Sequence, residues 1–268
     1  MINIVVCVKQ VIDTEIGPAY FKLDEEVKRA LRPLGSQPIL NPFDENALEA
    51  ALMIRDSLGA QQSKITVVSM GRRLAKALLR KTLAVGADDL IVLEDDIFDS
   101  FDSYKTVEWL VAAIRRIGTY DLVLCGRQAA DTNAGQVGFG IAEMLEIPCI
   151  SAARKIEIEG EELIVERITS DGYDVLKTSM PALITVSSEV GELRFPTVMA
   201  LRAAQKKEIR VWKREDICSH SIPPQRTDLV RLFIPPVVSK TACEMVDGVD
   251  AEDAGKNLAL RLREAGLL

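Results

Sequence analysis

The sequence predicts an α/β fold in which a doubly wound parallel sheet is extended by antiparallel strands and followed by an extended C-terminal arm. Three observations carry this prediction. Short apolar runs alternate with segments of helical period up to residue 147, which is the rhythm of repeated β-α units. Short β-rich segments separated by turn signals follow, up to residue 187. Beyond Glu189 the regular pattern fades.

The first half of the chain supplies the parallel strands and their crossover helices. The run IVVCV at 4–8 is apolar on both faces, as in a strand covered by helices on either side. Asp44 is predicted to cap the first helix, and Gly59 to end it. The predicted strands are 2–8, 65–70, 89–93 and 121–125, and the predicted helices are 44–58, 72–85, 103–117 and a short helix that ends before Pro148.

The second half is predicted to add antiparallel hairpins and an arm. Turn signals at 159–160 and 171–172 separate the β-rich segments. The stretch 192–238 contains five prolines and few periodic runs, which is typical of an extended arm. An amphipathic helix is predicted at the end of the chain. The predicted β segments are 150–158, 162–168, 173–178 and 182–187, and the final helix is 251–265.

Composition narrows the classes of protein and of partner. The 268 residues fit one large α/β domain or two small ones, and the 48% hydrophobic content is that of a globular chain. A net charge of −7 without a long basic tract argues against nucleic acid as the main partner. The apolar runs are too short for membrane insertion, and the N-terminus lacks the pattern of a secretory signal.

The cysteines and the single histidine argue against metal and histidine chemistry. The five cysteines are odd in number and form no C-x-x-C pair, so we expect reduced thiols in a cytoplasmic protein. The sequence contains no cluster of Cys and His residues that would indicate a zinc or haem site. A catalytic triad would rest on His220 alone, which lies in a proline-rich stretch, and a loop histidine is the favoured interpretation.

The segment 125–138 is the most informative for function. It leaves a predicted strand, passes through small and polar residues, and enters a helix, so its backbone N–H groups form a potential anion site. Several side chains there are suited to hold a ribose or a phosphate, namely Asp131, Thr132, Asn133 and Gln136. The alternative is an ordinary β-α loop with polar caps. Neither a Walker A loop nor a G-x-G-x-x-G fingerprint is present.

Three other segments are expected to converge on the same edge of the sheet. They are the end of the first strand at 8–11, the helix entry at 41–44 and the end of the second strand at 69–71. Ligands of doubly wound sheets bind beyond the carboxyl ends of the strands. An adenine is therefore predicted to lie against Met70, with its edge bonded to main chain near Cys7 or Val8. Each segment alone also fits an ordinary strand end or helix entry.

Six motifs in order resemble one known family. They are VKQVID at 8–13, NPFD at 41–44, VVSMG at 67–71, LAVGAD at 83–88, GRQAAD at 126–131 and GQVG at 135–138. Together they make the chain similar to the beta (small) subunit of electron transfer flavoprotein along nearly its whole length. The resemblance implies an adenine nucleotide alpha hydrolase-like sheet. It also implies a nucleotide-binding domain at 1–190, with a recognition loop and an arm contacting an alpha subunit at 191–268.

The resemblance implies cofactors as well as a partner. The family forms a heterodimer with an alpha subunit, whose redox FAD lies mostly in alpha and near beta. The beta subunit itself holds AMP in the simple electron carriers and a second FAD in the electron-bifurcating ones. Phe43 matches a position near the flavin held by alpha. The positions that match the pocket in beta are Cys7, Asn41, Met70, Gly126, Asp131, Thr132, Asn133, Ala134, Gly135, Gln136 and Val137.

The roles implied for these residues are binding roles, and no catalytic residue or metal ligand is implied. Backbone amides and Gln136 would hold phosphate, while Asp131 and Asn41 would orient ribose and base. A flavin carries out its own redox chemistry, so the protein supplies position and electrostatics. The bifurcating version of the family takes hydride from NADH and passes electrons on, with ferredoxin among its acceptors.

The resemblance also implies a docking residue. Phe195 falls where the family presents an apolar anchor to an acyl-CoA dehydrogenase, and an exposed aromatic is a plausible hot spot. The alternative is that Phe195 packs into its own arm.

The sequence departs from the family pattern at Thr14, at 131–133 and in 218–230. Two other classes of function are alternatives to the electron carrier. One is a non-redox adenine-nucleotide-binding module, and the other is an ATP-hydrolysing or adenylating enzyme. The enzyme would need a metal carboxylate and a phosphate-clamping lysine, and neither stands out.

Overall fold

The structure is a computed structural model with two compact units, Met1–Val230 and Arg231–Leu268. The residues that it describes are 1–13, 15–17, 20–26, 28–99, 102–217, 225–235 and 243–268. The predictions that concern Thr14, His220 and most of the departure at 218–230 lie outside the described residues.

The first unit contains the main sheet and its covering helices. Its strands, labelled β1 to β13 in chain order, are Ile2–Val8, Gln10–Val11, Lys22–Asp24, Arg29–Leu31, Ile39–Leu40, Ser63–Gly71, Asp89–Glu94, Leu122–Gly126, Cys149–Glu159, Glu162–Thr169, Gly172–Ser179, Ala182–Val186 and Arg210–Trp212. Its helices α1 to α6 are Pro42–Leu58, Lys76–Val85, Ser103–Ile117, Val137–Leu145, Val198–Lys206 and Arg214–Ile217. The second unit contains helix α7, Ala251–Glu264.

The main sheet has nine strands in the order β11-β10-β9-β12-β8-β1-β6-β7-β13. Strand β1 pairs in parallel with β6 on one side and with β8 on the other. The parallel pairing continues to β7 and β13 at one end and through β12 to β9 at the other. Strands β10 and β11 extend the sheet by antiparallel pairing. This is the doubly wound sheet with an antiparallel extension that the sequence predicts.

The two faces of the sheet carry two separate apolar cores, because successive side chains of a strand point to opposite faces. In β1, Ile4 and Val6 pack with the apolar sides of α1 and α2. Val5 and Cys7 pack on the other face with α3 and α4. The central strands are thus apolar on both sides, which explains the continuous hydrophobic runs in the sequence.

The chain reverses its winding direction at β1. From β1 it winds outward through β6 to β7, and it then returns along α3 to place β8 on the opposite side of β1. The gap between the carboxyl ends of β1 and β8 is therefore the topological switch point, which is where doubly wound sheets form ligand sites. The segments that the sequence predicts to converge all border this gap or its neighbour β6.

Some elements differ from the sequence predictions. Helix α1 begins at Pro42, so Asp44 lies in its first turn and is not its cap. Strand β12 does not complete a hairpin with β11, because it inserts between β8 and β9 in parallel with both. The stretch after 192 is more regular than predicted, since it forms α5 and then β13, which extends the sheet next to β7.

The second unit contains one described helix with a clear start. The Asp250 side chain caps α7 by accepting a hydrogen bond from the Asp253 amide at 2.9 Å. Leu258 and Leu260 of this helix are exposed. Among the described residues of both units, no helix is long and apolar enough to span a bilayer.

Replacing Gly140 tests the packing of α4 on α3. A Cβ atom at this position would lie 2.7 Å from Cγ2 of Val107, a buried side chain with little freedom to move. We expect Gly140→Ala to lower the free energy of unfolding by about 1–2 kcal/mol, because overpacking outweighs the helix propensity gained. Urea unfolding measures the change. The control is Gly255→Ala in α7, where no atom lies within 4 Å, and equal stability of both variants would contradict the prediction.

Candidate nucleotide site at the switch point

The carboxyl ends of β1 and β8 are joined by the side chain of Asp44. One carboxylate oxygen accepts a hydrogen bond from the Lys9 amide at 2.7 Å, and the other accepts one from the Gly126 amide at 3.1 Å. Gly126 has to be a glycine here, since a Cβ atom would lie 2.5 Å from the Asp44 carboxylate. The first turn of α1 thereby fixes the distance between the two strand ends that border the gap.

The Asp44 carboxyl is only 7% exposed, and burial disfavours its ionised form. Burial raises its pKa to about 7, against an ordinary value of 3.8. The hydrogen bonds from Lys9, Asn41 and Gly126 act in the opposite direction but do not cancel the burial. The protonation state of this carboxyl therefore changes near neutral pH.

Asn41 holds the loop that follows β8. Its side-chain nitrogen donates to the Gln128 carbonyl at 2.8 Å, and its side-chain oxygen accepts from the Ala130 amide at 3.0 Å. Its own amide donates to the Lys9 carbonyl at 2.8 Å. With 1% of its surface exposed, Asn41 shapes the loop from behind. The structure thus shows Asn41 supporting the loop backbone, and its implied contact with ribose or base stays a prediction.

The loop 126–136 is fixed by further contacts along its length. Lys9 forms an ion pair with Asp131 at 2.7 Å, and the Gln128 side chain donates to the Asn133 side chain at 2.9 Å. Asn133 and Gly135 both adopt positive φ angles, of 51° and 63°. Such left-handed positions turn the backbone sharply and favour Asn and Gly. The exposed residues 131–134 are therefore held as a curved strip of main chain in front of α4.

Helix α4 begins directly after this strip with open backbone donors. Gln136 occupies the N-cap position and provides no side-chain cap. The first intrahelical hydrogen bond runs from the Gly140 amide to the Gln136 carbonyl at 3.0 Å. The amides of residues 137–139 precede that bond, so they have no partner within the helix. An uncapped helix start with a positive dipole end is suited to an anion such as phosphate.

The α3/α4 face of the same gap is apolar. Cys7 lies in its core, and Met70 and Val137 pack against that core from β6 and from α4. Cys7 stands in register with Cys125 on β8. The pKa of the Cys125 thiol is raised by its hydrogen bond with Cys7 and by burial, so this thiol stays protonated and unreactive. The gap therefore combines an apolar wall with a polar rim, which suits a flat base carrying a phosphate.

Phe43 is the second residue of α1 and lies at the rim of the gap. The guanidinium of Arg127 stacks over its ring, 4.7 Å from the ring centre. The Arg127 amide donates to the Val186 carbonyl of β12 at 3.0 Å, which fixes the start of the loop. An aromatic ring and an exposed cation thus stand together at the outer edge of the site.

Phe195 lies away from the gap, before α5. Its side chain is 92% exposed. It does not pack into its own arm in the structure. Val198 and Met199 in the first turn of α5 are also exposed, and we refer to these three exposed apolar side chains as the apolar tip.

The structure brings together the predicted residues of the gap and adds others. Cys7, Met70 and Val137 share one wall, and Gly126 and the loop residues share the rim. The contacts of Lys9 and Arg127 are additional to the predicted ones, and Asp44, predicted as a helix cap, bridges two strand ends instead. The signal for Asp44 lay in its spacing, because 44, 47, 48 and 51 fall on one side of a helix. An acid at a core-facing position needs buried partners.

Within the ranges that the structure describes, no group of three or more His, Cys, Asp or Glu side chains could hold a metal ion. The fold and the gap together define a doubly wound α/β protein with a polar loop and an open helix start at its switch point. The family model of the electron transfer flavoprotein domain matches residues 34–217 of the sequence. The chain therefore belongs to this family.

Three relatives agree with this membership. The chain is 42% identical to the electron transfer flavoprotein subunit beta of Thermoanaerobacterium thermosaccharolyticum, over 80% of each chain. It is 36% identical to the caffeyl-CoA reductase-Etf complex subunit CarD of Acetobacterium woodii, over 99% of this chain and 100% of that one. It is 32% identical to the acryloyl-CoA reductase electron transfer subunit gamma of Anaerotignum propionicum, over 93% and 94%. The resemblance carried by the six motifs is thereby confirmed.

The buried carboxyl of Asp44 predicts a specific pH dependence of stability. A pKa raised from 3.8 to about 7 on folding means that ionisation costs more in the folded chain. The stability from this group is fully present below pH 3.8 and is lost as the pH rises through about 7. The change is on the order of 4 kcal/mol. In Asp44→Asn this titration is absent.

We therefore expect the stability of the parent chain, relative to Asp44→Asn, to fall between about pH 4 and about pH 7 and to level off above that. Urea unfolding at several pH values measures this difference. Asp171→Asn, which changes an exposed acid in the turn between β10 and β11, serves as the control and should show a nearly constant difference. A constant difference for Asp44→Asn as well would contradict a buried, titrating carboxyl.

Proposed function

We propose that this chain is the beta subunit of a heterodimeric electron carrier, which with an alpha subunit passes electrons between a flavin-dependent dehydrogenase and other carriers. Its own site at the switch point binds an adenine nucleotide, either AMP or a second FAD. The observation that carries the nucleotide proposal is the uncapped start of α4, placed beside the apolar wall of the gap. Family membership supports the electron-transfer role.

The contacts of the gap support a binding role in which different residues are suited to the phosphate, the adenine and the ribose. The amides at the start of α4 and the side chain of Gln136 are placed for a phosphate. Met70, with Cys7 behind it, offers an apolar surface for the adenine. Asp131 is held by Lys9 at the rim, where a ribose hydroxyl would find an acceptor. Asn41 keeps the loop in this arrangement through its bonds to the loop backbone.

The same residues fit FAD as well as AMP, since both carry an adenosine phosphate. A bound flavin supplies the electron and hydride chemistry itself. This chain contributes binding, orientation and exclusion of water. Phe43 and Arg127 stand at the outer rim, where an aromatic ring can contact a flavin held by the alpha subunit and a cation can favour its reduced, anionic form. The Asp44 bridge keeps this rim at a fixed distance from the phosphate site.

Flavin-based electron bifurcation, with NADH as the hydride donor and ferredoxin as one acceptor, is the more specific form of the proposal. It is supported by two relatives named for acyl-CoA reductase systems. One of them matches the chain over 99% of its length. The site for the dehydrogenase is the apolar tip around Phe195. An exposed aromatic accompanied by other exposed apolar side chains is a typical interface anchor.

The nucleotide content of the purified complex tests the proposal. We expect the chain, produced together with its alpha subunit, to be yellow and to release adenine nucleotide on acid extraction. Two FAD per heterodimer would support bifurcation, and one FAD with AMP would support simple electron transfer. A visible spectrum of the complex and chromatography of the extract provide the measurement. A colourless complex containing ATP would contradict the proposal and favour a non-redox nucleotide-binding module.

Phe195→Ala tests the docking site. Burial of an aromatic anchor contributes on the order of 2–4 kcal/mol, so we expect KM for the partner dehydrogenase to rise at least about thirtyfold. Steady-state electron transfer between the complex and the dehydrogenase gives KM and kcat. Val175→Ala, which trims another exposed apolar side chain on β11, is the matched control. An unchanged KM for Phe195→Ala would count against docking at this tip.

A further inference from the structure

The segment that carries the apolar tip is tied to helix α1 before it reaches Phe195. The segment leaves β12 and passes through a 3-10 turn at Ser188–Val190. The side-chain nitrogen of Asn46 donates to the Gly191 carbonyl at 2.6 Å. Leu193 packs against the core on the α1 side of the sheet. The segment is therefore held on the molecule up to the residue directly before Phe195.

That residue, Arg194, is held by Glu49 of α1 through several hydrogen bonds. The Arg194 amide donates to one carboxylate oxygen of Glu49 at 3.0 Å. Its guanidinium donates to the same carboxylate from Nε at 3.0 Å and from Nη2 at 2.7 Å. A further nitrogen, Nη1, contacts Asp56 at 2.9 Å. Backbone and side chain of one residue are thus bound to a single carboxylate.

The burial of Glu49 makes this contact specific. Glu49 is 8% exposed, and a buried carboxylate needs a charged, hydrogen-bonding partner. The planar guanidinium supplies parallel donors that a lysine ammonium does not. The contact raises the pKa of Arg194, first through its hydrogen bond with Glu49. Arg194 therefore stays charged and in one orientation.

The segment is also fixed after the tip. Thr197 caps α5 by accepting a hydrogen bond from the Ala200 amide at 3.1 Å. At the other end of α5, Arg80 of α2 donates to the carbonyls of Ala204 and Lys207, each at 2.8 Å. Two residues, Phe195 and Pro196, remain between the fixed ends, and proline itself restricts the backbone. The exposed aromatic thus stands on a short span with little freedom.

We propose that Glu49 and Arg194 are positioning residues, which hold Phe195 in one projecting orientation for the flavin-dependent dehydrogenase. This inference rests on the proposed docking role of Phe195. A tip ordered in advance loses less conformational freedom on binding, so the partner is bound more tightly without any new contact. Glu49 and Arg194 act through Phe195 and do not themselves need to touch the partner.

Glu49→Gln in the complete complex tests the proposal. The variant keeps the shape of the side chain but removes the charge that holds the guanidinium. We expect KM for the dehydrogenase to rise about tenfold, with kcat unchanged. We also expect trypsin to cut the Arg194–Phe195 bond about tenfold faster, because a released arginine side chain can enter the protease. Nucleotide content and unfolding midpoint show whether the rest of the protein is intact.

Control variants separate this inference from the docking proposal. Arg167→Lys weakens an ion pair with Asp174 on the antiparallel strands and should change neither readout. If Phe195→Ala raises KM but Glu49→Gln leaves both KM and cleavage unchanged, the positioning role is wrong and docking stands. If Phe195→Ala leaves KM unchanged, docking itself fails. Should Glu49→Gln not fold, Arg194→Lys keeps the charge, loses the paired donors and is expected to show the same two changes.

Discussion

The candidate site depends on one interaction, the two hydrogen bonds that join the Asp44 carboxylate to the amides of Lys9 and Gly126. The connections that leave β1 and β8 run to opposite faces of the sheet, toward α1 and α4, so a crevice opens between them beyond the paired strand ends. The buried carboxylate bridges that crevice, and its raised pKa records what the burial costs. With the gap fixed, the loop after β8 has a constant base, and Asn41, Lys9 and the start of α4 can present their groups in a constant arrangement.

Helix α1 serves both regions to which we assign a role. Its first turn bridges the strand ends at the candidate nucleotide site, and Glu49, about one and a half turns after Asp44, holds the base of the apolar tip. Its buried side meanwhile packs on the sheet through alanines and leucines. One rigid element thus fixes the geometry of the proposed cofactor site and of the proposed partner surface. In an electron carrier both must keep a constant geometry, because transfer depends on how closely and in what orientation the redox centres approach.

The sequence predicts the parallel sheet well, because that feature follows from local patterns, and its site at the carboxyl edge of the sheet stays a prediction. Strand β1 and helix α3 have the predicted bounds, since one is a continuous apolar run and the other ends at Gly118. Other features depend on contacts between distant residues. An acid at a helix start is usually a cap, and only the fold shows that Asp44 binds two other strands instead. The motif at 126–138 marks the loop, but the bonds from Asn41 and Lys9 that shape it join residues far apart in the chain.

The insertion of β12 between β8 and β9 has a consequence for assembly of the molecule. Among the described strands of the main sheet, the neighbours of β9 are β10 and β12. The three-stranded meander formed by 149–179 is therefore connected to the other strands through β12, which follows it in the chain. Because residues 149–179 precede β12 in the chain, the edge of β9 cannot be covered by pairing until residues 182–186 are available. Pairing of β12 with both β8 and β9 then completes the sheet.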